Sequence, residues 1–364
     1  MSKFREAVSQ IVAQCESAEF QAGLKRLQNI FRDRPLVLYG AGDLGLRTAK
    51  WLSRNEVSLN CFCDRSKSGI HIDTALPIVS PQDLLLNYKD ANILICSITH
   101  ADDIRQGLLV LGIPEERIFL MENLPIHAMT IEDFLPHVDG YEWAYNFFAD
   151  DTSKAIILNR VEGYLLSTPF KSSQNVEYFD NEVMTLSREE VFVDGGMFDG
   201  DTAVEFIRRV AGQFWQYYGF EIDTANYRQA AKNLKGIERV TLLQQGLWSS
   251  QTDLRFNTNL SASSKLSESG DGTVPVTSLD AFFADLSDKP TLIKLDIEGA
   301  EKEALLGAKN VIKSVKPKLA ICAYHKPEDI YELPKLLAGY GVDYKFMLRH
   351  YSDTLLDTVL YAVC

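Results

Sequence analysis

Runs of basic residues are missing from this sequence. Lys and Arg number 37 against 50 Asp and Glu, a formal charge of −13 at pH 7. Nucleic-acid binding draws on clustered cations that displace phosphate counterions, so no nucleic-acid partner is expected. Long apolar runs are lacking too. Stretches such as Ala91–Cys96 are strand-sized and far too short to span a membrane. No continuous apolar segment follows the basic residues near the N-terminus, so no secretion signal is expected and the chain reads as cytoplasmic. Cysteine is scarce and unpatterned: Cys15, Cys61, Cys63, Cys96, Cys322 and Cys364 form no Cys-x-x-Cys, and no His pair stands at zinc-ligand spacing. Four of the six fall in apolar, strand-like stretches, the pattern of reduced core thiols.

With 364 residues, 46% hydrophobic and 24% charged, the chain has the composition of a globular protein and the length of two domains. Its apolar spacing predicts an α/β protein with two Rossmann-like domains. Residues 1–34 show helical periodicity. Residues 35–121 alternate strand and helix at the pitch of a parallel sheet: Leu36–Tyr39, Ser58–Cys63, Ala91–Ser97 and Arg117–Leu120 are strands, and Leu44–Arg54, Pro81–Asn87 and Asp102–Leu111 helices. Residues 122–187 break that rhythm with an aromatic-rich stretch and a helix at Asp151–Leu166, a helical connector that also caps the second domain. From 188 to 364 the alternation restarts. Strands are expected at Val191–Asp194, Gln216–Glu221, Val240–Leu247, Thr291–Asp296 and Lys318–Tyr324. Helices are expected at Asp201–Val210, Thr224–Leu234, Ser278–Leu286, Glu301–Ser314 and Glu328–Gly339. A Ser- and Gly-rich excursion surrounds Ser261–Gly272. The last two strands, Tyr344–Arg349 and Thr358–Val363, have no helix between them and must pair antiparallel.

In an open parallel sheet, ligands bind at the carboxyl ends of the strands. The first strand of the second domain ends in Asp194-Gly195-Gly196-Met197-Phe198-Asp199-Gly200, a glycine loop that lets a ligand approach the backbone. The second ends in Glu221, positioned to accept bonds from ribose hydroxyls. The third ends in Gly246-Leu247-Trp248, with Trp248 either stacking on a base or lying in the core. The fourth carries Lys294, Asp296 and Glu298 on one face by strand alternation. Glu301, in the first turn of the next helix, reads first as a group favoured by the helix dipole. The fifth ends in Tyr324-His325, where His325 is either a general base or a surface His before a turn.

Taken together, Val-Phe-Val-Asp194-Gly-Gly, Gly-Phe-Glu221, Ser-Leu-Asp280 and Ile-Lys-Leu-Asp296-Ile-Glu-Gly-Ala-Glu301, with the closing Leu-Arg349-His350-Tyr351 and Val-Leu-Tyr361-Ala, resemble the FkbM family of methyltransferases over residues 175–364. The resemblance implies a class I methyltransferase sheet, S-adenosylmethionine as cofactor, and O-methylation of a sugar, glycan or glycosylated metabolite. It places the cofactor at Asp194, Gly195, Gly196, Gly200, Glu221, Gly246, Leu247, Trp248 and Asp296. The ammonium and sulfonium of that cofactor suit a carboxylate at Asp194. Met197 departs from the small residue common at its position and would narrow the loop. His325 is then the base, with Asp296 orienting the acceptor or the base. The acceptor contacts would be Glu298, Arg349, His350 and Tyr351. A divalent metal at Asp296, Glu298 and His325 is the alternative way to acidify a hydroxyl.

The first domain carries Gly40-Ala-Gly42-Asp-Leu-Gly45 after a strand, with Asp64 ending the next strand, a dinucleotide fingerprint in context. It suits a nucleotide or nucleotide-sugar. It equally suits a Rossmann unit used for packing, since residues 70–125 offer no catalytic partner to a nicotinamide. Ser97, Thr99 and His100 either touch a ligand or form a turn. Two rival readings remain: an NAD(P)-dependent oxidoreductase built on Gly40–Asp64, and a non-catalytic sugar-nucleotide-binding protein.

Overall fold

The structure, a computed structural model, describes residues 1–97, 100–121, 129–256 and 272–364. Thr99, residues 122–128 of the connector and residues 261–271 of the Ser- and Gly-rich excursion lie outside them. The chain divides into two units, Met1–Leu135 with Val161–Thr168, and Pro136–Arg160 with Pro169–Cys364. Among the described residues no helix is long and apolar enough to cross a membrane.

The first unit opens with α1 (Lys3–Cys15) and α2 (Ala18–Arg32). Ser2 and Ser17 cap them by accepting a backbone N–H of the first turn. Phe4, Val8, Ile11 and Cys15 form the buried stripe of α1. There follow β1 (Leu36–Tyr39), α3 (Asp43–Arg54), β2 (Cys61–Cys63), β3 (Gly69–Ile70), β4 (Pro77–Val79), α4 (Pro81–Asn87), β5 (Asn92–Ile95), α5 (Ala101–Val110), β6 (Ile118–Leu120) and α6 (Ile131–Phe134). The sheet runs β3-β4-β2-β1-β5-β6, parallel except for β3 against β4. Apart from β3 this is the order of a doubly wound sheet, with its switch between β1 and β5. Strand alternation sends Leu36 and Leu38 to one core with Trp51 and Phe62, and Val37 and Tyr39 to the other with Ile93 and Leu108. Sequence pattern does not anticipate β3 and β4. They are two and three residues long and carry no buried position, so they leave no apolar run to read.

The second unit contains α7 (Val138–Phe147), part of α8 (Asp151–Leu166), β7 (Val191–Gly195), α9 (Asp201–Arg209), β8 (Gln216–Phe220), α10 (Thr224–Asn233), β9 (Val240–Leu243), β10 (Gly246–Leu247), β11 (Thr252–Phe256), β12 (Gly272–Thr277), α11 (Leu279–Phe282), β13 (Leu292–Leu295), α12 (Glu301–Leu306), α13 (Lys309–Val315), β14 (Lys318–Cys322), α14 (Asp329–Ala338), β15 (Lys345–His350) and β16 (Thr358–Val363). Its main sheet has the order β15-β16-β14-β13-β7-β8-β9. β16 is antiparallel to both neighbours, and the remaining pairs are parallel. Leu295 pairs with Gly195, and Gly195 with Phe220. That register brings Gly196, Glu221 and Asp296 to one edge. An aromatic core holds the strands, with the rings of Phe192 and Phe206 4.8 Å apart and both side chains fully buried.

Two expected elements are broken in the structure. Val240–Leu247 is not one strand: β9 ends at Leu243, and Gly246–Leu247 pairs instead with Val276–Thr277 of a separate three-stranded sheet. Glu301–Ser314 is not one helix but α12 and α13, interrupted at Gly307–Ala308. There the carbonyl of Trp248 packs so closely on Gly307 that a Cβ would collide with it. Asp280 supplies the new N-terminus, its carboxylate accepting Asn310 N–H at 3.0 Å and Val311 N–H at 2.8 Å.

Candidate functional site

A cleft opens at the carboxyl edge of β7, β8 and β13, with about 880 Å³ of unfilled space counting its open mouth. Gly196 forms its floor. It has φ +75°, and a Cβ there would overlap the Asp296 carbonyl oxygen, so only glycine lets the two strand ends meet. Glu221, Gly246, Leu247, Asp296 and Glu298 also line the cleft. Glu221 Oε2 accepts Phe198 N–H at 3.1 Å and Oε1 accepts Asp223 N–H at 2.7 Å. Burial raises its carboxyl above the ordinary range, and those backbone bonds pull against the rise. Each carboxylate oxygen carries two lone pairs, so a carboxylate fixed by backbone donors can still accept from a ligand.

Asp194 is not a lining residue. It is fully buried beneath the loop, 2.9 Å from Lys294 Nζ, and accepts Tyr217 O–H at 2.8 Å. Lys294 therefore pairs with Asp194 and not chiefly with Asp296. It also donates to the Gly196 carbonyl at 2.6 Å and tethers the glycine loop. Burial would discharge this lysine, but the Asp194 carboxylate outweighs burial and holds the ammonium charged. Gly195 sits within β7, and Gly200 caps α9 in the left-handed conformation. Neither lines the cleft. Met197 does not narrow it: the side chain is fully buried and packs against Gly219, where a Cβ would displace its sulfur. Trp248 is half-buried, its N–H bonded to Thr277 O at 2.8 Å, and it does not line the cleft either.

Beyond Asp296 the cleft turns acidic. Asp296 Oδ2 accepts Tyr178 O–H at 3.0 Å and Oδ1 accepts Tyr324 O–H at 3.2 Å. Burial opposes its charge, but Lys294 and His325 more than offset this and keep the carboxyl below its usual range. His325 Nε2 lies 3.4 Å from Asp296 Oδ1 and 3.7 Å from Glu298 Oε2, and Nδ1 lies 3.1 Å from Glu301 Oε1. Burial disfavours the imidazolium, yet Glu301 and the other two carboxylates push His325 up to about 9. At neutral pH the imidazole thus holds the very proton that a general base must lack.

Arg349, His350 and Tyr351 are engaged elsewhere. Arg349 pairs with Asp150 at 3.0 Å. His350 is 1% exposed, bonded through Nδ1 to Thr358 Oγ1 at 2.8 Å and packed on Phe170. The Tyr351 hydroxyl bonds Asp180 at 3.0 Å and Tyr361 at 2.7 Å. A strand-end position exposes a residue only if nothing packs over it, and here the segments at 150–180 do.

Sequence reading missed Phe198, Tyr178 and the second task of Glu301. Phe198 lines the cleft at φ +51°, 47% exposed. A half-exposed aromatic beside a glycine loop is a signal the sequence does carry. Tyr178 lies in the connector, and nothing local marks it. Glu301 does stand in the first turn of its helix, and its carboxylate accepts Ile297 N–H of the preceding loop at 2.9 Å, but it is buried and also faces His325.

In the first unit Gly40 has φ +119°, and Gly45 packs against the Gly40 carbonyl. Asp64 is already occupied. Its Oδ2 accepts Ala41 N–H at 2.9 Å, and its Oδ1 accepts Ser66 N–H, Ser66 O–H and Lys67 N–H at 2.9 to 3.1 Å. Burial disfavours the carboxylate, but these donors hold it below its usual range. Ser97 Oγ accepts His100 N–H at 3.2 Å.

A family model described as the methyltransferase FkbM domain matches residues 194–346. The crystal structure of methyltransferase FkbM from Methylobacillus flagellatus KT is similar at TM-score 0.63 and 22% identity, over 99% of this chain and 98% of that one. Fibrillarin from Aeropyrum pernix, solved with bound S-adenosyl-L-methionine, reaches TM-score 0.32 and 12% identity over 50% of this chain and 70% of its own. Precorrin-6y C5,15-methyltransferase from Geobacter metallireducens GS-15 reaches 0.33 and 12% over 53% and 93%. No curated protein matches the chain. The family model thus matches residues 194–346, and the fold is shared with the Methylobacillus flagellatus protein over nearly the whole chain.

Proposed function

We propose that the chain is an S-adenosylmethionine-dependent methyltransferase that methylates a hydroxyl oxygen of a sugar, glycan or glycosylated metabolite. Glu221 carries the reading: an acid fixed by two backbone N–H groups at the rim of an open cleft suits the paired hydroxyls of a ribose. Phe198 and Leu247 offer apolar surface to an adenine, and Asp296 offers a carboxylate to the cationic end of the cofactor. In the reaction the acceptor oxygen attacks the methyl carbon and the carbon–sulfur bond breaks with its electron pair staying on sulfur. The donor leaves as a neutral thioether, and the hydroxyl proton passes to a base or to water. Alignment of oxygen, carbon and sulfur supplies much of the rate. Asp296 and His325 are the side chains at that edge that would hold the acceptor.

The occupied state of Asp64 counts against a nicotinamide enzyme built on the first unit. The test is calorimetry with S-adenosylhomocysteine, followed by incubation with methyl-labelled donor and a panel of free and nucleotide-linked sugars. Saturable binding and label in an alkali-stable ether are expected. A chain that binds no S-adenosylhomocysteine overturns the cofactor, and label found only on amino-sugar nitrogen overturns the hydroxyl acceptor.

A further inference from the structure

Three carboxylates converge on one imidazole at the acidic end of the cleft. One ligand atom each from Asp296, Glu301 and His325 lies within 4.8 Å of the others. The His325 side chain is 7% exposed, and its Nε2, aimed between Asp296 and Glu298, makes no hydrogen bond. Its distances to Asp296 Oδ1 and Glu298 Oε2, 3.4 and 3.7 Å, decide what the arrangement is for. A charge-assisted N–H to carboxylate bond would be about 2.7–2.9 Å. Two ligands on one cation, each bonded at roughly 2.1 Å, sit about 3.0–3.4 Å apart. Nε2 stands off each of the two carboxylates at a distance nearer the second case, slightly open. On the other side of the ring, Nδ1 faces the buried Glu301 carboxylate at 3.1 Å. A carboxylate behind the distal nitrogen is how metal-bound imidazoles are oriented.

The local charge agrees. Lys294 is committed to Asp194 and the Gly196 carbonyl, and Lys326 donates to the Gly299 carbonyl.

We propose that Asp296, Glu298 and His325 bind one hard divalent cation, Mg²⁺ or Mn²⁺, with Glu301 as the positioning residue behind His325. The proposal deepens the methyl-transfer reading and rests on it for its catalytic meaning. His325 becomes a ligand and not the base, its Nε2 proton released to water as the cation binds, and the cation would draw the acceptor hydroxyl toward its alkoxide form while the hydroxyl proton also leaves to water. Nothing in the family match assigns these residues to a metal.

The test uses the full chain, with Mn²⁺ as probe and electron paramagnetic resonance of the free hydrated ion as readout, with and without S-adenosylhomocysteine. One Mn²⁺ per chain, displaced by Mg²⁺, is expected. Binding should weaken more than about 100-fold in Asp296→Asn and His325→Gln. In Glu301→Gln it should weaken by about 10–100-fold. Glu298→Gln, at a side chain 34% exposed, guards against loss of fold and should also weaken binding. No Mn²⁺ bound at millimolar concentration overturns the site, as does undiminished binding in folded Asp296→Asn and His325→Gln. S-adenosylhomocysteine bound without Mn²⁺ sinks the cation site alone. Mn²⁺ bound without S-adenosylhomocysteine sinks the methyl-transfer reading and leaves the site standing.

Discussion

The two units each place a glycine loop after a first strand and an acid after the second, yet the acids have different freedom. Asp64 clasps its own loop: Ala41, Ser66 and Lys67 donate to it. Glu221 is also held by backbone, through Phe198 and Asp223, but it faces an open cleft. A glycine fingerprint therefore specifies a tight strand-to-helix turn, a requirement of backbone sterics that both units meet. Ligand binding needs something further, an acceptor with capacity left over.

The comparison breaks most sharply at the base of the second loop. Lys294→Met strands the buried Asp194 carboxylate and should cost about 3–5 kcal/mol, seen as a lower denaturation midpoint with loss of ligand binding. At the first loop Lys67 donates to the Ala41 carbonyl instead. A loss below about 1 kcal/mol would mean that the loop does not depend on this pair.

Acid should separate the units next. Burial, then the Arg160 charge, lowers His350 to about 4 from an ordinary 6.5. The folded state thus binds fewer protons than the unfolded one, and stability is lost as pH falls from 6.5 toward 4. At roughly 1.36 kcal/mol per pH unit the loss reaches about 3 kcal/mol. Asp64, held below its usual range, keeps its contribution across that window and loses it only at lower pH. Denaturant unfolding of wild type and His350→Gln between pH 7 and 4 checks this. The variant should show a flatter profile, and parallel profiles would refute it.

The smallest effect sharpens the comparison itself. Glu221→Ala should weaken S-adenosylhomocysteine binding by about 100-fold, the worth of hydrogen bonds to a charged acceptor. Asp64→Ala should leave that affinity unchanged and cost about 1–2 kcal/mol of stability. Equal loss of affinity in both variants, measured calorimetrically, would erase the distinction.

Much of this was legible from local pattern. The alternation of strands and helices, the carboxyl-edge position of Gly196, Glu221 and Asp296, and the closing antiparallel hairpin all come from short-range periodicity and from the impossibility of a parallel hairpin. The breaks at Gln244–Gln245 and at Gly307 were not legible, because each depends on a partner far along the chain, Val276 in one case and Trp248 in the other. The same limit applies to His350 and Tyr351, whose strand-end positions suggested an acceptor but whose side chains are covered by Phe170 and Asp180.

By itself the sequence determined which residues reach the sheet edge, since strand period and turn chemistry act over a few neighbours. Only the tertiary structure decided what each acid does there. Lys294 claims Asp194 from a strand far along the chain, and Asp296, Glu298 and Glu301 surround an imidazole from the neighbouring strand. A carboxylate's task depends on which donors crowd it, and parallel pairing brings those donors from remote segments.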